Sequence, residues 1–176
     1  SSAASDVYKR QVHDHPHMFL YHIPEVHLLD YFQSYLSSKI YFQISNLKFL
    51  YYLDLNYTQV TDEGLKEVAK VKKLKYLDLD DTAITDEGLR EVTKLEKLEG
   101  LYLNSTKITD AGLKKVAKLQ ELKKLKLTRT QITDAGLKEV AKLQNLEWLS
   151  LTGTKVTKAG VAELKKALPD CLIEGP

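Results

Sequence analysis

The chain has 176 residues, about the size of one domain, and its 43% hydrophobic content is enough for a core. A formal charge of +2 gives no general attraction to nucleic acid or anionic lipid, and no stretch approaches the ~20 consecutive apolar residues of a membrane span. The single cysteine, Cys171, excludes an internal disulfide framework.

The composition changes near residue 47. All five histidines and eight of the fifteen aromatic residues precede it, against seven of the fifty charged residues, so the two parts differ in character. Residues 1–22 read as unstructured or as a sequence artefact. Ser1 to Gln11 resembles translated adapter sequence, and a join upstream of about Ile44 would account for the shift. The run His13-x-His15-x-His17 has the chemistry to bind a transition metal, but it lies on that segment and is set aside with it. Residues 23–46 read as a degenerate first repeat or N-terminal cap. Val26, Leu29, Tyr31, Ser34, Leu36, Tyr41, Ile44 and Leu47 fall on the columns of the repeat that follows, with Ile40 at its glycine position and Ser38 at its aspartate position. The stretch Ile23-Pro24-Glu25-Val26 to Phe32-Gln33-Ser34-Tyr35-Leu36 also resembles the opening of an F-box, one residue short after Pro24 and without that family's second half. That resemblance implies a substrate adaptor of a ubiquitin ligase.

From Leu50 a 24-residue period runs without insertion, with Leu74, Leu98, Leu122 and Leu146 opening the later copies. Each unit reads L-x-x-L-x-L-x-x-T-x-[VI]-T-x-x-G-[LV]-x-x-[VL]. A fixed period of this length predicts a solenoid, in which each unit buries its apolar face only against its neighbours. The segment around Leu53-Asp54-Leu55 alternates apolar and polar, the period-2 pattern of a strand with one buried face. A turn follows, with Thr58, Thr82, Thr106, Thr130 and Thr154 expected to bond loop backbone groups that would otherwise be buried unpaired. Thr61, Thr85, Thr109, Thr133 and Thr157 stand at helix N-caps, followed mostly by acidic residues that suit the positive helix end. Leu65, Val68 and Val71 then recur at helical spacing. Gly64, Gly88, Gly112, Gly136 and Gly160 lie in the first helical turn, where glycine costs roughly 1 kcal/mol against alanine, so their repetition predicts close packing on the neighbouring coil. Parallel strands joined by right-handed crossovers follow, with the strands on the inner, concave face.

These residues resemble leucine-rich repeats, and Ile84-Thr85-Asp86 to Gly88-Leu89 or Ile108-Thr109-Asp110 to Gly112-Leu113 narrow the likeness to the 24-residue repeats of planctomycete-type bacterial proteins. The repeats of F-box proteins, where cysteine commonly holds the place of Thr58, are similar at greater distance. The resemblance covers about residues 44–173 and implies an α/β leucine-rich-repeat solenoid that binds proteins and seldom catalyses. Five repeats are expected over 47–168 and a cap over 169–176. Lys158 and Val161 depart from the earlier aspartate and leucine, Pro169 stops the last helix, and Leu172 and Ile173 are expected to cover the final coil as at a native C-terminus. Cys171 reads as a capping core residue.

Comparison of the copies separates fold from function, because strand positions pointing away from the core differ between them. One column reads Tyr52, Tyr76, Gly100, Lys124, Trp148, and the next Asp54, Asp78, Tyr102, Lys126, Ser150. A third reads Asn56, Asp80, Asn104, Thr128, Thr152, followed by Tyr57, Asp81, Ser105, Arg129, Gly153. The N-terminal half is therefore tyrosine-rich and acidic, and the C-terminal half carries Lys124, Lys126, Arg129 and Trp148. Tyrosine and tryptophan are enriched in binding hot spots, and adjacent carboxylates select basic segments. The expected partner is another protein, presenting a basic helix or loop to a face roughly 20–25 Å wide, with the array acting as a monomer.

Other chemistries fit less well. The lysine-rich helical face (Lys66, Lys70, Lys72, Lys73, Lys114, Lys115, Lys118, Lys138, Lys142) is interleaved with glutamates and reads as solvated, and Lys124, Lys126 and Arg129 are too few for a nucleic-acid stripe. The repeats hold no histidine to act as a base for Cys171 or a serine, so no enzyme is expected. No phosphate loop or Cys/His metal set appears, and no loop motif organises Asp54, Asp78, Asp80 and Asp81 for Ca²⁺, so no cofactor is expected.

Overall fold

The leucine columns dictate the architecture. Leu53, Leu77, Leu101, Leu125 and Leu149 are all at most 6% exposed, and Leu55, Leu79, Leu103, Leu127 and Leu151 at most 1%. Burying two leucines per coil on one side of an extended segment leaves the alternate residues on the other side, which makes a sheet with one core face. The computed structural model describes residues 50–175. The readings of residues 1–22, of a degenerate coil over 23–46 and of an F-box-like opening lie outside the described residues.

Among the described residues six short strands, β1 (Tyr52–Asp54), β2 (Tyr76–Asp78), β3 (Gly100–Tyr102), β4 (Lys124–Lys126), β5 (Trp148–Ser150) and β6 (Leu172–Glu174), form one parallel sheet in sequence order. The register keeps the 24-residue period throughout, for example Leu53 beside Leu77 and Leu149 beside Ile173. Backbone pairing runs past the strands into the turns, where the N–H of Tyr57 donates to Asp80 O at 3.0 Å and that of Arg129 to Thr152 O at 2.9 Å. Helices α1 (Leu65–Val68), α2 (Leu89–Val92), α3 (Asp110–Val116), α4 (Asp134–Val140) and α5 (Lys158–Ala167) pack on the other side of the core. The first four each bury a leucine and a valine there. Among the described residues no helix is long and apolar enough to cross a membrane.

The recurring polar residues satisfy the backbone in two ways. Each turn threonine donates its hydroxyl to the carbonyl three residues back in its own coil, from Thr58 to Leu55 at 2.7 Å through Thr154 to Leu151 at 2.7 Å. The second set acts between coils. The carboxylate of Asp62 accepts the N–H and hydroxyl of Thr85 at 2.9 and 2.6 Å, and Asp86–Thr109, Asp110–Thr133 and Asp134–Thr157 repeat the pair. Thr109, Thr133 and Thr157 then cap α3, α4 and α5, Thr109 accepting the Ala111 N–H at 3.2 Å, whereas α1 and α2 begin only at Leu65 and Leu89, so Thr61 and Thr85 are not the helix N-caps expected of them. The aspartates were expected only to favour the positive helix end, and the structure adds this clamp. It also explains the glycines, since a Cβ on Gly88, Gly112, Gly136 or Gly160 would overlap the clamping carboxylate.

Within the segment expected as a cap, the C-terminal residues continue the sheet. Leu172–Glu174 pairs with β5 as a sixth strand, leaving Leu172 61% exposed while Cys171 is 4% exposed. Burial pushes the Cys171 thiol up to about 11, which keeps it protonated and poorly nucleophilic near neutral pH.

Candidate binding face

The strand residues that alternate with the core leucines stand together on the outer side of the sheet. Along the first column, Tyr52 and Tyr76 are register neighbours with ring centroids 6.4 Å apart and planes tilted by 38°. Gly100 comes next, and a Cβ there would strike the Tyr76 ring, so the missing side chain lets that ring lie across β3. Lys124 is exposed beyond it, and Trp148 is half-buried on β5. In the second column Asp54, Asp78, Tyr102 and Lys126 follow one another, and the Lys126 ammonium sits 4.3 Å from the Tyr102 ring centroid. The structure therefore brings the expected tyrosines, carboxylates and cations onto one surface.

The acidic residues are not equivalent. Asp54 accepts the N–H of Asn56 at 2.9 Å and stays half-buried. Asp78 is only 8% exposed and accepts the N–H of Asp80 at 2.9 Å. Its burial pushes its pKa up to about 6, the charges of Asp80 and Asp54 add to the rise, and the Asp80 N–H and Lys126 oppose it. Burial also raises Asp80, against its bonds from Asn104. Those bonds, from the Asn104 N–H at 2.8 Å and Nδ2 at 2.7 Å, tie the segment after β2 to that after β3, and Asn104 Oδ1 in turn accepts the Thr128 N–H at 2.8 Å. Asp80 and Asn104 thus hold coils together as well as lining the face, a role that column variation alone does not reveal. The surroundings act on the phenols too. Burial and then the Asp54 charge push Tyr52 up to about 12, and burial and then Asp78 raise Tyr102.

The fourth column lies at the rim in an unusual backbone conformation. Tyr57, Asp81, Ser105 and Arg129 have φ between 52° and 58°, and Gly153 has 72°. That left-handed conformation costs roughly 1–2 kcal/mol for a residue with a Cβ. Arg129 donates from Nε to Ser105 Oγ at 3.0 Å, whereas Tyr57 is 63% exposed. Only Gly153 carries the sequence signal for this conformation, so the other four positions could not be read in advance.

The helical face is largely charge-paired. Lys66–Glu63, Lys70–Glu67, Lys94–Glu91, Lys142–Glu139 and Lys166–Glu163 are ion pairs three residues apart, in keeping with a solvated surface. Among the described residues no group of three or more His, Cys, Asp or Glu is arranged to hold a metal ion.

The profile of a family described as a leucine-rich repeat region matches residues 11–174. This chain belongs to the leucine-rich repeat family. That fold is in general a non-catalytic, protein-interaction fold. Among solved structures, a leucine-rich-repeat protein of Leptospira interrogans is similar at 28% identity with a TM-score of 0.59, over 76% of this chain and 33% of its own. Internalin C2 of Listeria monocytogenes is similar at 26% identity and a TM-score of 0.57, over 74% of this chain and 62% of its own. An internalin of the same organism, InlF, shares the fold at 22% identity and a TM-score of 0.52, over 76% of this chain and 49% of its own. The leucine-rich-repeat chain thus spans less than two thirds of each of these structures. The search of curated proteins gave no match.

Proposed function

We propose that this leucine-rich-repeat array is a non-catalytic binding module that takes a basic helix or loop of a partner protein on its strand face. The observation that carries this reading is the grading of that face, with three tyrosines among partly desolvated carboxylates on β1–β3 and the cations displaced to β4 and the turn after it. Aromatic rings supply contact area at low entropic cost, and buried carboxylates carry an unmet demand for positive charge. The repeats themselves resemble in pattern the ITDxGL type of planctomycete-like proteins. Residues 47–168 are assigned as five repeats and 169–176 as a cap, and a family match that starts at residue 11 supports residues 23–46 as a degenerate first coil. The array is assigned as a monomer.

Titration of a lysine- and arginine-rich helical peptide, followed by backbone amide shifts, tests the proposal. The expected outcome is shifts on Tyr52, Tyr76 and Tyr102 that vanish with an acidic peptide. Shifts confined to the helical face would overturn it. Asp54→Lys is the variant of choice, because Asp80 also holds Asn104 and its loss would confound binding with folding.

A further inference from the structure

On the strand face a cation of the protein itself already sits between aromatic rings. Lys126 on β4 places its Nζ 4.3 Å from the ring centroid of Tyr102 on β3 and 5.8 Å from that of Trp148 on β5. Both distances are within the range over which the negative face of an aromatic ring attracts a cation. Among the described residues no carboxylate forms a salt bridge with Lys126, yet its charge makes Asp78 and Asp80 easier to ionise. Lys124 is a useful contrast, since it stands on the same strand, is exposed, and lies over no ring among the described residues.

Resting on the reading that this face binds a basic segment, we propose that Tyr102 and Trp148 form an aromatic seat for one arginine or lysine side chain of the partner, and that Lys126 fills that seat in the free protein. A lysine reaches the rings on a flexible four-carbon stem and makes no bidentate contact, so it can be displaced. A partner guanidinium is planar and stacks on aromatic faces, so it competes well. Lys126 then acts as a specificity-determining residue: it raises the threshold for binding and favours arginine over an isolated lysine.

The test uses the full chain and a capped hexa-arginine peptide at low salt, with tryptophan emission and calorimetry as readouts. The chain has one tryptophan, so emission reports on the seat itself. Lys126→Gln and Lys124→Gln remove the same charge. The seat predicts that Lys126→Gln binds roughly threefold to fivefold tighter than wild type with a change in Trp148 emission, that Lys124→Gln gains far less, and that Tyr102→Leu added to Lys126→Gln cancels the gain. Equal gains for both glutamine variants would overturn the seat while leaving the acidic face as the binding surface. No binding by wild type or either variant would overturn the strand-face reading itself. Lys126→Met, which keeps the packed stem, replaces the glutamine variant if that one melts early.

Discussion

Asp78 shows what the strand face costs the fold. The residue is 8% exposed, with Asp54 beside it on β1, and burial pushes its pKa up to about 6 against 3.8 for a free aspartate. Because the folded carboxyl keeps its proton to higher pH than the unfolded one, stability is lost as pH rises from about 4 through about 6 and is flat above. Asp78→Asn keeps an oxygen for the Asp80 N–H and removes the charge. Its melting temperature is expected to exceed that of wild type at pH 7 and to converge with it near pH 4. A variant that melts no higher at pH 7 would show that the buried charge is fully compensated. The difference between the two proteins isolates Asp78 from Asp134, whose bonds from Thr157 hold it below the usual range and give the opposite slope. A bound cation should also lower the Asp78 pKa, so capture of a basic peptide should weaken as pH falls through about 6. At the rim, Tyr57→Gly trades relief of a left-handed residue against glycine entropy and should leave stability within about 1 kcal/mol, whereas Tyr57→Val should cost more, as judged by urea unfolding.

Between neighbouring coils, the polar columns explain each other. Gly112 sits in the first turn of α3, where alanine would ordinarily add about 1 kcal/mol, but its missing Cβ makes room for the Asp86 carboxylate that clamps Thr109. Gly112→Ala is therefore expected to destabilise, and Asp86→Ala to cost ~1–3 kcal/mol by leaving the threonine donors unpaired. The double variant should cost less than the sum, since alanine at 86 vacates the space that alanine at 112 needs. Additive costs in chemical denaturation would mean that the glycine serves some other contact. The columns of Asp, Thr and Gly were all legible in the sequence, and with them the strand, turn and helix. Their mutual dependence was not, because it joins residues 23 to 26 positions apart in different coils. The candidate site was legible to the same depth. Variation among copies marks the outward positions, while the burial of Asp78, the Asp80–Asn104 ladder and the left-handed turn at Tyr57, Asp81, Ser105 and Arg129 depend on distances and dihedrals that no column displays.

Over the whole array, cohesion is a sum of neighbour contacts rather than one central core. Leu101 lies in the middle of the sheet and is 0% exposed, so Leu101→Ala should destabilise by ~2–5 kcal/mol. The loss should be local in hydrogen exchange, with amides of β2 to β4 exposed sooner than those of β5 and β6. Uniform acceleration along the sheet would indicate that the array unfolds as a single unit.

The clamp from each aspartate to the next coil's threonine has a direction, like a row of hooks and eyes all sewn the same way round. Any coil carrying both halves can be copied and spliced between its neighbours, provided that the insert is a whole period. In a second copy of residues 98–121 placed after residue 121, the copied threonine would engage Asp110 of the first copy and the copied aspartate would engage Thr133. It would also move Asp78 away from Lys126 by one strand spacing, ~4.8 Å, while leaving a tyrosine beside that lysine. Length and recognition can therefore be tuned separately in this molecule, and the distance between its acidic and basic halves becomes a number that an experimenter can set.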